Sequence, residues 1–133
     1  MISPLVFFLT SIVFGIMIFF SFVVAPITFK SLNEENARQY IRKIFPYYYK
    51  VNLLLCLIIC VFFIVSKNFQ IEFYLILTIT ILFGVSNYLL MPLINKFRDN
   101  KDDKKFKYLH FLSVIINFVQ IIFLIIILIK NYL

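Results

Sequence analysis

Four long stretches of the chain carry no charged side chain, and the charged residues are confined to the segments around them. The charge-free runs are residues 1–29, 51–66, 73–95 and 108–129. A membrane-spanning helix needs about 17–25 mainly apolar residues, so three runs are long enough, and lysines at both ends can extend the second run to the interface. The pattern predicts an all-α membrane protein with four transmembrane helices in a bundle. We expect one domain over residues 1–133, with helices at about 5–25, 48–66, 73–95 and 108–128.

The composition indicates lipid rather than water as the solvent. The chain is 63% hydrophobic and 14% charged, with a mean hydropathy of +1.01. Soluble domains average about 45–50% apolar and about 25% charged residues. A chain of 133 residues cannot bury so much apolar surface in a single soluble core, and a lipid bilayer is therefore the expected partner.

The thirteen basic residues predict the orientation in the membrane. Five lie in or beside the first connection, six in the third, one in the second and one near the C-terminus. By the positive-inside rule, connections 1–2 and 3–4 are cytoplasmic and both termini are outside. This topology accounts for the net charge of +7 without a nucleic-acid partner. Frequent Ile, Lys, Asn and Phe suggest an AT-rich bacterial genome, and hence the bacterial cytoplasmic membrane.

The first connection, SLNEENARQYIRKIFP, carries a helical pattern of its own. Ser31 and Glu34 have the spacing of a capping box. Apolar residues recur at helical intervals from Leu32 to Ile44. We expect a short amphipathic helix at about 32–44, lying on the cytoplasmic membrane surface between helices 1 and 2.

The last apolar run contains three polar residues, in the segment YLHFLSVIIN. His110, Ser113 and Asn117 recur at i, i+3 and i+7, which places them on one face of a helix. This stripe is expected to face the bundle interior, because an unpaired polar group in lipid costs several kcal/mol. Asn87 and Asn52 are predicted to lie in the same cytoplasmic half, which gives a polar seam open to the cytoplasm.

Two interpretations of the seam remain open. In one, the polar residues hold the helices together, with Asn52, Asn87 and Asn117 satisfying one another. In the other, the seam binds a small ligand, a haem edge or a metal, with His110 as ligand or proton carrier. Haem or a transition metal is conceivable as a cofactor but is not favoured over interhelical bonding.

Several classes of site are excluded. Two glycines cannot build a phosphate-binding loop, and a single histidine excludes a two-histidine zinc motif. The six carboxylates fall in the connections or at their edges, which weighs against a proton-coupled transporter. Cys56 and Cys60 could hold copper(I), but small apolar residues in a helix are the commoner interpretation. No catalytic residue is identified, and an enzyme is not expected.

A short internal repeat relates the ends of helices 1 and 3. Aligning Pro26 with Pro92 superimposes SFVVAPITFK on NYLLMPLINK, so that Ser21 corresponds to Asn87. Two helical hairpins in parallel repeat would give this pattern.

Four segments together resemble one known family. The segments FGIMIFFSFVVAPITFKSLN, IFPYYYKVN, NYLLMP and YLHFLSVIIN occur in the order found in the transmembrane protein 205-like family, of the domain-of-unknown-function 4149 type. The resemblance implies a four-helix membrane protein with no established biochemical activity. It also implies that certain positions are signatures of the family. These are Pro26, Phe45, Pro46, Tyr48, Pro92, and the His110, Ser113 and Asn117 set.

Three functions are compatible with the sequence. The first is a structural or accessory membrane component, working in a homodimer or a larger complex. The second is a metal- or haem-binding membrane module that uses His110. The third is a small-molecule transporter or exporter, for which an oligomer of four-helix chains would be needed.

Overall fold

The computed structural model describes all 133 residues as four helices joined by short turns. Each helix is long and apolar enough to cross a membrane, and no strand is present. This confirms the predicted all-α fold with four transmembrane helices. The helices are α1 (Pro4–Ser31), α2 (Glu34–Val65), α3 (Ile71–Asp99) and α4 (Asp103–Tyr132).

The two ends of the bundle differ in charge. One end carries the turns at 32–33 and 100–102 and is called the basic end. The other, with the turn at 66–70 and both chain termini, is called the closed end. At the basic end the helices continue past the charge-free runs, because the residues that cap α2 and α4 lie in the polar sequence before those runs. The Asp102 side chain, for example, caps α4 by accepting a hydrogen bond from Lys105 N at 3.3 Å.

The predicted amphipathic helix at 32–44 is not a separate element. It forms the first part of α2, which runs without a break through Pro46. A proline within a helix removes one backbone hydrogen bond, but aromatic contacts hold the two parts in line. Phe45 stacks on Tyr49 at 5.6 Å, across the proline. The predicted capping box is also wrong, because the N-cap is Asn33, which accepts a bond from Asn36 N at 2.8 Å.

Helices α1 and α3 each contain a five-residue π-helical segment. These are Phe20–Val24 and Ser86–Leu90, and each lies two residues before a proline. In both, the residue just before the proline donates its N–H five residues back, from Ala25 to Phe20 O and from Met91 to Ser86 O. The two segments occupy equivalent positions in the sequence repeat, which thus has a matching backbone feature in the structure.

The closed end is filled by buried side chains. Phe63 is 2% exposed and meets Phe73 edge-on at 5.9 Å. The Thr80 hydroxyl donates to Ile76 O at 2.7 Å, so this buried polar group is satisfied within its own helix.

A buried carboxylate joins the two chain ends at the closed end. Glu72 is 1% exposed, with Lys130 Nζ at 3.0 Å and Asn131 Nδ2 donating to it at 3.2 Å. Asn131 Oδ1 in turn accepts the N–H of Ile2 at 3.0 Å. Sequence patterns placed Glu72 at the edge of a connection, whereas it lies in the first turn of α3. Burial there is tolerated because the half-exposed Lys130 supplies the countercharge.

Candidate functional site

The basic end of the bundle contains a cavity of about 500 Å³ that is lined by all four helices. Small-ligand sites in proteins have volumes of about 300–1,000 Å³, so this cavity has the size of a binding site. Its wall is mainly apolar and rich in aromatic rings. The lining phenylalanines are Phe20, Phe22, Phe29, Phe45, Phe106 and Phe118.

The cavity exists because α1 and α4 separate towards the basic end. Their backbones contact each other mainly along Pro4–Phe19 of α1. The π-helical segment Phe20–Val24 follows directly, and the remaining residues of α1 pack instead against α2. The space left between α1 and α4 becomes one side of the cavity.

A chain of hydrogen bonds forms the inner wall. Asn117 donates from Nδ2 to Ser21 Oγ at 2.9 Å, and Tyr48 donates from Oη to Asn117 Oδ1 at 2.9 Å. Asn117 therefore connects α1, α2 and α4 at one point. Asn117 is half-buried and lines the cavity together with Ser21 and Tyr48, so the network borders on the space that a ligand would occupy.

Aromatic rings hold the network in place. Phe20, at the start of the π-helical segment, stacks on Tyr48 with ring centroids 4.1 Å apart and planes 17° from parallel. Phe45 meets the edge of Phe20 at 5.3 Å. Such contacts contribute about 0.5–1.5 kcal/mol beyond the area they bury, and they fix the direction of the Tyr48 hydroxyl.

Three arginines line the mouth of the cavity. Arg42 forms an ion pair with Asp99 at 2.6 Å, and Arg38 pairs with Glu34. Arg98 lies 3.9 Å from the same Glu34, too far for a hydrogen bond. The two carboxylates stand outside the lining.

His110 lies on the rim beside these arginines. Its ring is stacked on Phe106 at 5.8 Å with an interplanar angle of 6°, and Arg98 lies over the Phe106 ring at 4.3 Å. The imidazole makes no hydrogen bond within the chain and is exposed. Ser113 donates to His110 O at 2.7 Å, within its own helix.

The candidate seam residues thus divide into two groups. His110, Ser113 and Asn117 line the cavity, whereas Asn87 and Asn52 do not. The expectation that the asparagines satisfy one another is wrong. Asn52 is fully buried and donates to Tyr48 O at 2.9 Å, one turn earlier in α2, while its Oδ1 has no partner.

The signature positions inferred from the family resemblance also divide. Pro26, Phe45 and Tyr48 line the cavity, while Pro46 and Pro92 lie outside its wall.

The structure brings no metal-ligating cluster together. No group of three or more His, Cys, Asp and Glu side chains is placed to hold a metal ion. Cys56 and Cys60 are buried in α2, and the Cys60 thiol contacts the Thr80 hydroxyl at 3.5 Å. His110 as a metal ligand therefore stays a prediction.

The arginines are the site residues that the sequence patterns did not single out. They were grouped with the lysines as markers of topology. All three arginines of the chain line the cavity, and none of its ten lysines does. Every other basic residue of the chain is a lysine. The occurrence of arginine at 38, 42 and 98 is therefore the sequence feature that could have indicated these site residues.

Comparison with known proteins gives one match. The family model of a domain of unknown function, DUF4149, matches residues 8–103. The matched range covers α1 from Phe8 onwards, α2, α3 and the turn before α4, and it includes the two π-helical segments and all three arginines. His110, Ser113 and Asn117 lie beyond it. No curated protein and no solved structure matches the chain.

Proposed function

The chain belongs to the DUF4149 family of domains of unknown function, and we propose that it is a multi-pass membrane protein that binds a small ligand in the cavity at its basic end. The observation that carries this proposal is the cavity of about 500 Å³. It combines an aromatic wall, a hydrogen-bonded inner surface and a cationic mouth. Sites for small molecules are typically apolar, with a few placed polar groups that fix the orientation of the ligand.

The arrangement of polar groups supports binding over simple helix adhesion. Ser113 and Asn52 satisfy their donors within their own helices. Of the five candidate seam residues, only Asn117 hydrogen-bonds to other helices, and it does so at the cavity wall. His110, on the rim, has no partner within the chain, so its ring nitrogens are available to a ligand.

The basic end is proposed to face the cytoplasm. Eleven of the thirteen basic residues lie within residues 30–50 or 96–107, the segments that contain its two turns, as the positive-inside rule requires of cytoplasmic connections. A ligand would then bind in the cytoplasmic half of the bilayer. An alkaline phosphatase domain fused after Leu133 should be active in a bacterial host, because the C-terminus would be outside. If the phosphatase fusion is inactive, and a fluorescent protein fused at the same position is fluorescent, then the C-terminus is cytoplasmic and the proposed orientation is wrong.

The binding function is tested by what the purified protein retains. Protein in a mild detergent is examined by native mass spectrometry, and retained compounds are extracted and compared with the bulk membrane lipid. Wild type should carry a compound enriched over the bulk. Val114→Phe should lose it, because Val114 lines the cavity and the larger ring would fill the space.

The matched control is Ile115→Phe. Ile115 is the next residue of α4, is 42% exposed against 36% for Val114, and lies outside the cavity wall. This variant should retain the compound. The proposal is wrong if wild type retains nothing, or if both variants retain as much as wild type.

A further inference from the structure

Resting on the binding function just proposed, we infer that the ligand is an acidic amphiphile, with a carboxylate or phosphate head held by the arginines and an acyl chain lying along the aromatic wall. The inference joins three observations. They are the selective use of arginine at the mouth, the unsatisfied donors there, and an opening between α1 and α4 towards the lipid.

The first observation is the residue type. Every charged residue that lines the cavity is an arginine, in a chain that has ten lysines and three arginines. A lysine supplies a point charge, but the planar guanidinium presents paired N–H donors that match the two oxygens of a carboxylate or phosphate. If the mouth needed only positive charge, lysine would serve there as it does in the rest of both connections.

The second observation is that the arginines are incompletely paired. Three guanidinium groups share two carboxylates, Glu34 and Asp99, which both lie outside the lining. Arg38 Nε is buried and has no hydrogen-bond partner. Arg98 stacks on Phe106 at 4.3 Å, which leaves the N–H groups at the edge of its guanidinium free to donate. An anionic head group would accept hydrogen bonds from the arginine N–H groups that have no acceptor within the chain.

The third observation is the lateral opening. Beyond Phe19 the backbones of α1 and α4 separate, and rings from both helices stand in the gap. Phe22 and Phe118 meet edge-on at 6.3 Å and are 54% and 48% exposed. Since these faces lie along membrane-spanning helices, they contact lipid chains. Sideways entry of an amphiphile from the bilayer would require the Phe22–Phe118 contact to open, with the head kept at the level of the arginines.

Geometry along α4 fits this arrangement. His110 lies on the rim and Asn117 at the inner wall, about 10 Å apart along the helix axis at 1.5 Å per residue. The head group of the ligand would lie near His110 and Arg98, and the part of its acyl chain next to the head would pass Val114 towards Phe118. Membrane anionic phospholipids and free fatty acids share this chemistry, and the experiment below separates the two sources.

The test uses the absence of tryptophan from the chain. Phe22→Trp places a single tryptophan at the lateral opening, and lipids brominated on their acyl chains quench tryptophan on contact. The matched control is Tyr88→Trp. Tyr88 is the equivalent residue of the other π-helical segment, is 61% exposed, and lies outside the cavity.

Each variant is placed in phosphatidylcholine nanodiscs that contain a minor fraction of a brominated probe. The probes are phosphatidylglycerol, phosphatidylcholine and a fatty acid. Phosphatidylglycerol or the fatty acid should quench Phe22→Trp several-fold more than Tyr88→Trp, and the more effective of the two identifies the source. Brominated phosphatidylcholine should quench both variants equally.

The arginine requirement is tested in the Phe22→Trp background. Arg98→Gln should weaken the selective quenching about tenfold, as expected for the loss of a hydrogen bond to a charged group. Lys96→Gln removes the same charge two residues away, outside the wall, and should leave the quenching unchanged. Arg98→Lys should behave like Arg98→Gln if paired donors are needed rather than charge alone.

Two results would overturn the inference. If brominated phosphatidylglycerol and brominated phosphatidylcholine both quench Phe22→Trp more than Tyr88→Trp, and by the same factor, the cavity binds lipid without selecting an acidic head. No excess quenching by any probe would exclude amphiphiles, while a compound retained by wild type and lost in Val114→Phe would still support the binding function. Because tryptophan at position 22 could itself block the opening, Phe118→Trp is compared in parallel with Phe111→Trp, a 63% exposed α4 residue outside the wall.

Discussion

The two ends of the bundle use polar side chains in opposite ways. At the closed end, Glu72 is 1% exposed, and Lys130 and Asn131 turn inward to it, so that both chain termini are tied to one buried group. At the basic end, Asn117 and the arginines stand around a cavity of about 500 Å³. The same four helices thus form a filled core at one end and a lined space at the other. The difference indicates that the closed end stabilises the fold, and it is consistent with the binding role proposed for the basic end.

The largest effect is expected from deleting a ring at the closed end. Phe63→Ala removes a side chain that is 2% exposed and packed on Phe73. Such a cavity-forming change costs about 3–5 kcal/mol. Phe118→Ala, at the lateral opening, should cost less than about 1 kcal/mol, because that ring is 48% exposed. Unfolding of both variants in mixed detergent micelles measures the difference. Equal losses would mean that the basic end is packed as tightly as the closed end.

The buried ion pair gives the next largest effect. Lys130→Ala leaves the Glu72 carboxylate buried without its countercharge, and breaking a buried pair on one side costs about 3 kcal/mol or more. Lys107→Ala removes an exposed lysine of α4 that has no ion pair and should change the free energy of unfolding little. The same micelle titration compares the two. A Lys130 variant as stable as wild type would show that Asn131 alone satisfies Glu72.

The four helices were predictable because lipid imposes a simple constraint. A span cannot carry exposed charge, so the charge-free runs located each helix. The helix ends at the basic end were not predictable in this way, because residues 26–31 and 96–99 are helical but lie in or beside polar sequence. The continuity of α2 through Pro46 is accompanied by the stacking of Phe45 on Tyr49 across the proline, and a hydrophobic pattern does not reveal such a contact.

The site was predictable only in part. The spacing of His110, Ser113 and Asn117 predicted one polar face of α4, and all three line the cavity, but His110 is exposed at the rim and the spacing could not tell which partner each side chain meets. The π-helical segment that brings Ser21 to Asn117 follows from an i to i+5 hydrogen bond beside Pro26, and no hydrophobic period encodes such a bond. The arginines were visible in the sequence, but only the structure separates them from the lysines around them.

Asn117 connects α1, α2 and α4 at the basic end, and its removal should have a moderate effect. Asn117→Leu breaks the hydrogen bonds to Ser21 and Tyr48, and an interhelical hydrogen bond in a membrane contributes about 0.6–1.7 kcal/mol. Asn87→Leu is the control, because Asn87 is equivalent to Ser21 in the repeat and makes no hydrogen bond through its side chain. Unfolding titrations should show a loss only for Asn117→Leu. A similar loss in both would indicate an effect of side-chain shape rather than of the network.

The smallest effect is expected at the two turns, and there the ends of the bundle should behave alike. Lys67 at the closed end and Lys101 at the basic end both have positive φ, at 53° and 56°. Each follows a helix whose last turn is closed by a bond spanning five residues, from Asn68 N to Phe63 O at 3.0 Å and from Asp102 N to Phe97 O at 2.9 Å.

Glycine relieves the left-handed strain, which is about 1–2 kcal/mol for other residues. It also adds freedom to the unfolded chain, worth about 0.4–1 kcal/mol. Lys67→Gly and Lys101→Gly should therefore each raise the free energy of unfolding by about 0.5 kcal/mol. The alanine variants remove the same charge without relieving the strain and should not be stabilised. Equal increases in the free energy of unfolding at both turns would mean that the two ends differ in their helix packing and not in their turns. An increase at one turn only would mean that the turns also contribute to the difference between the ends.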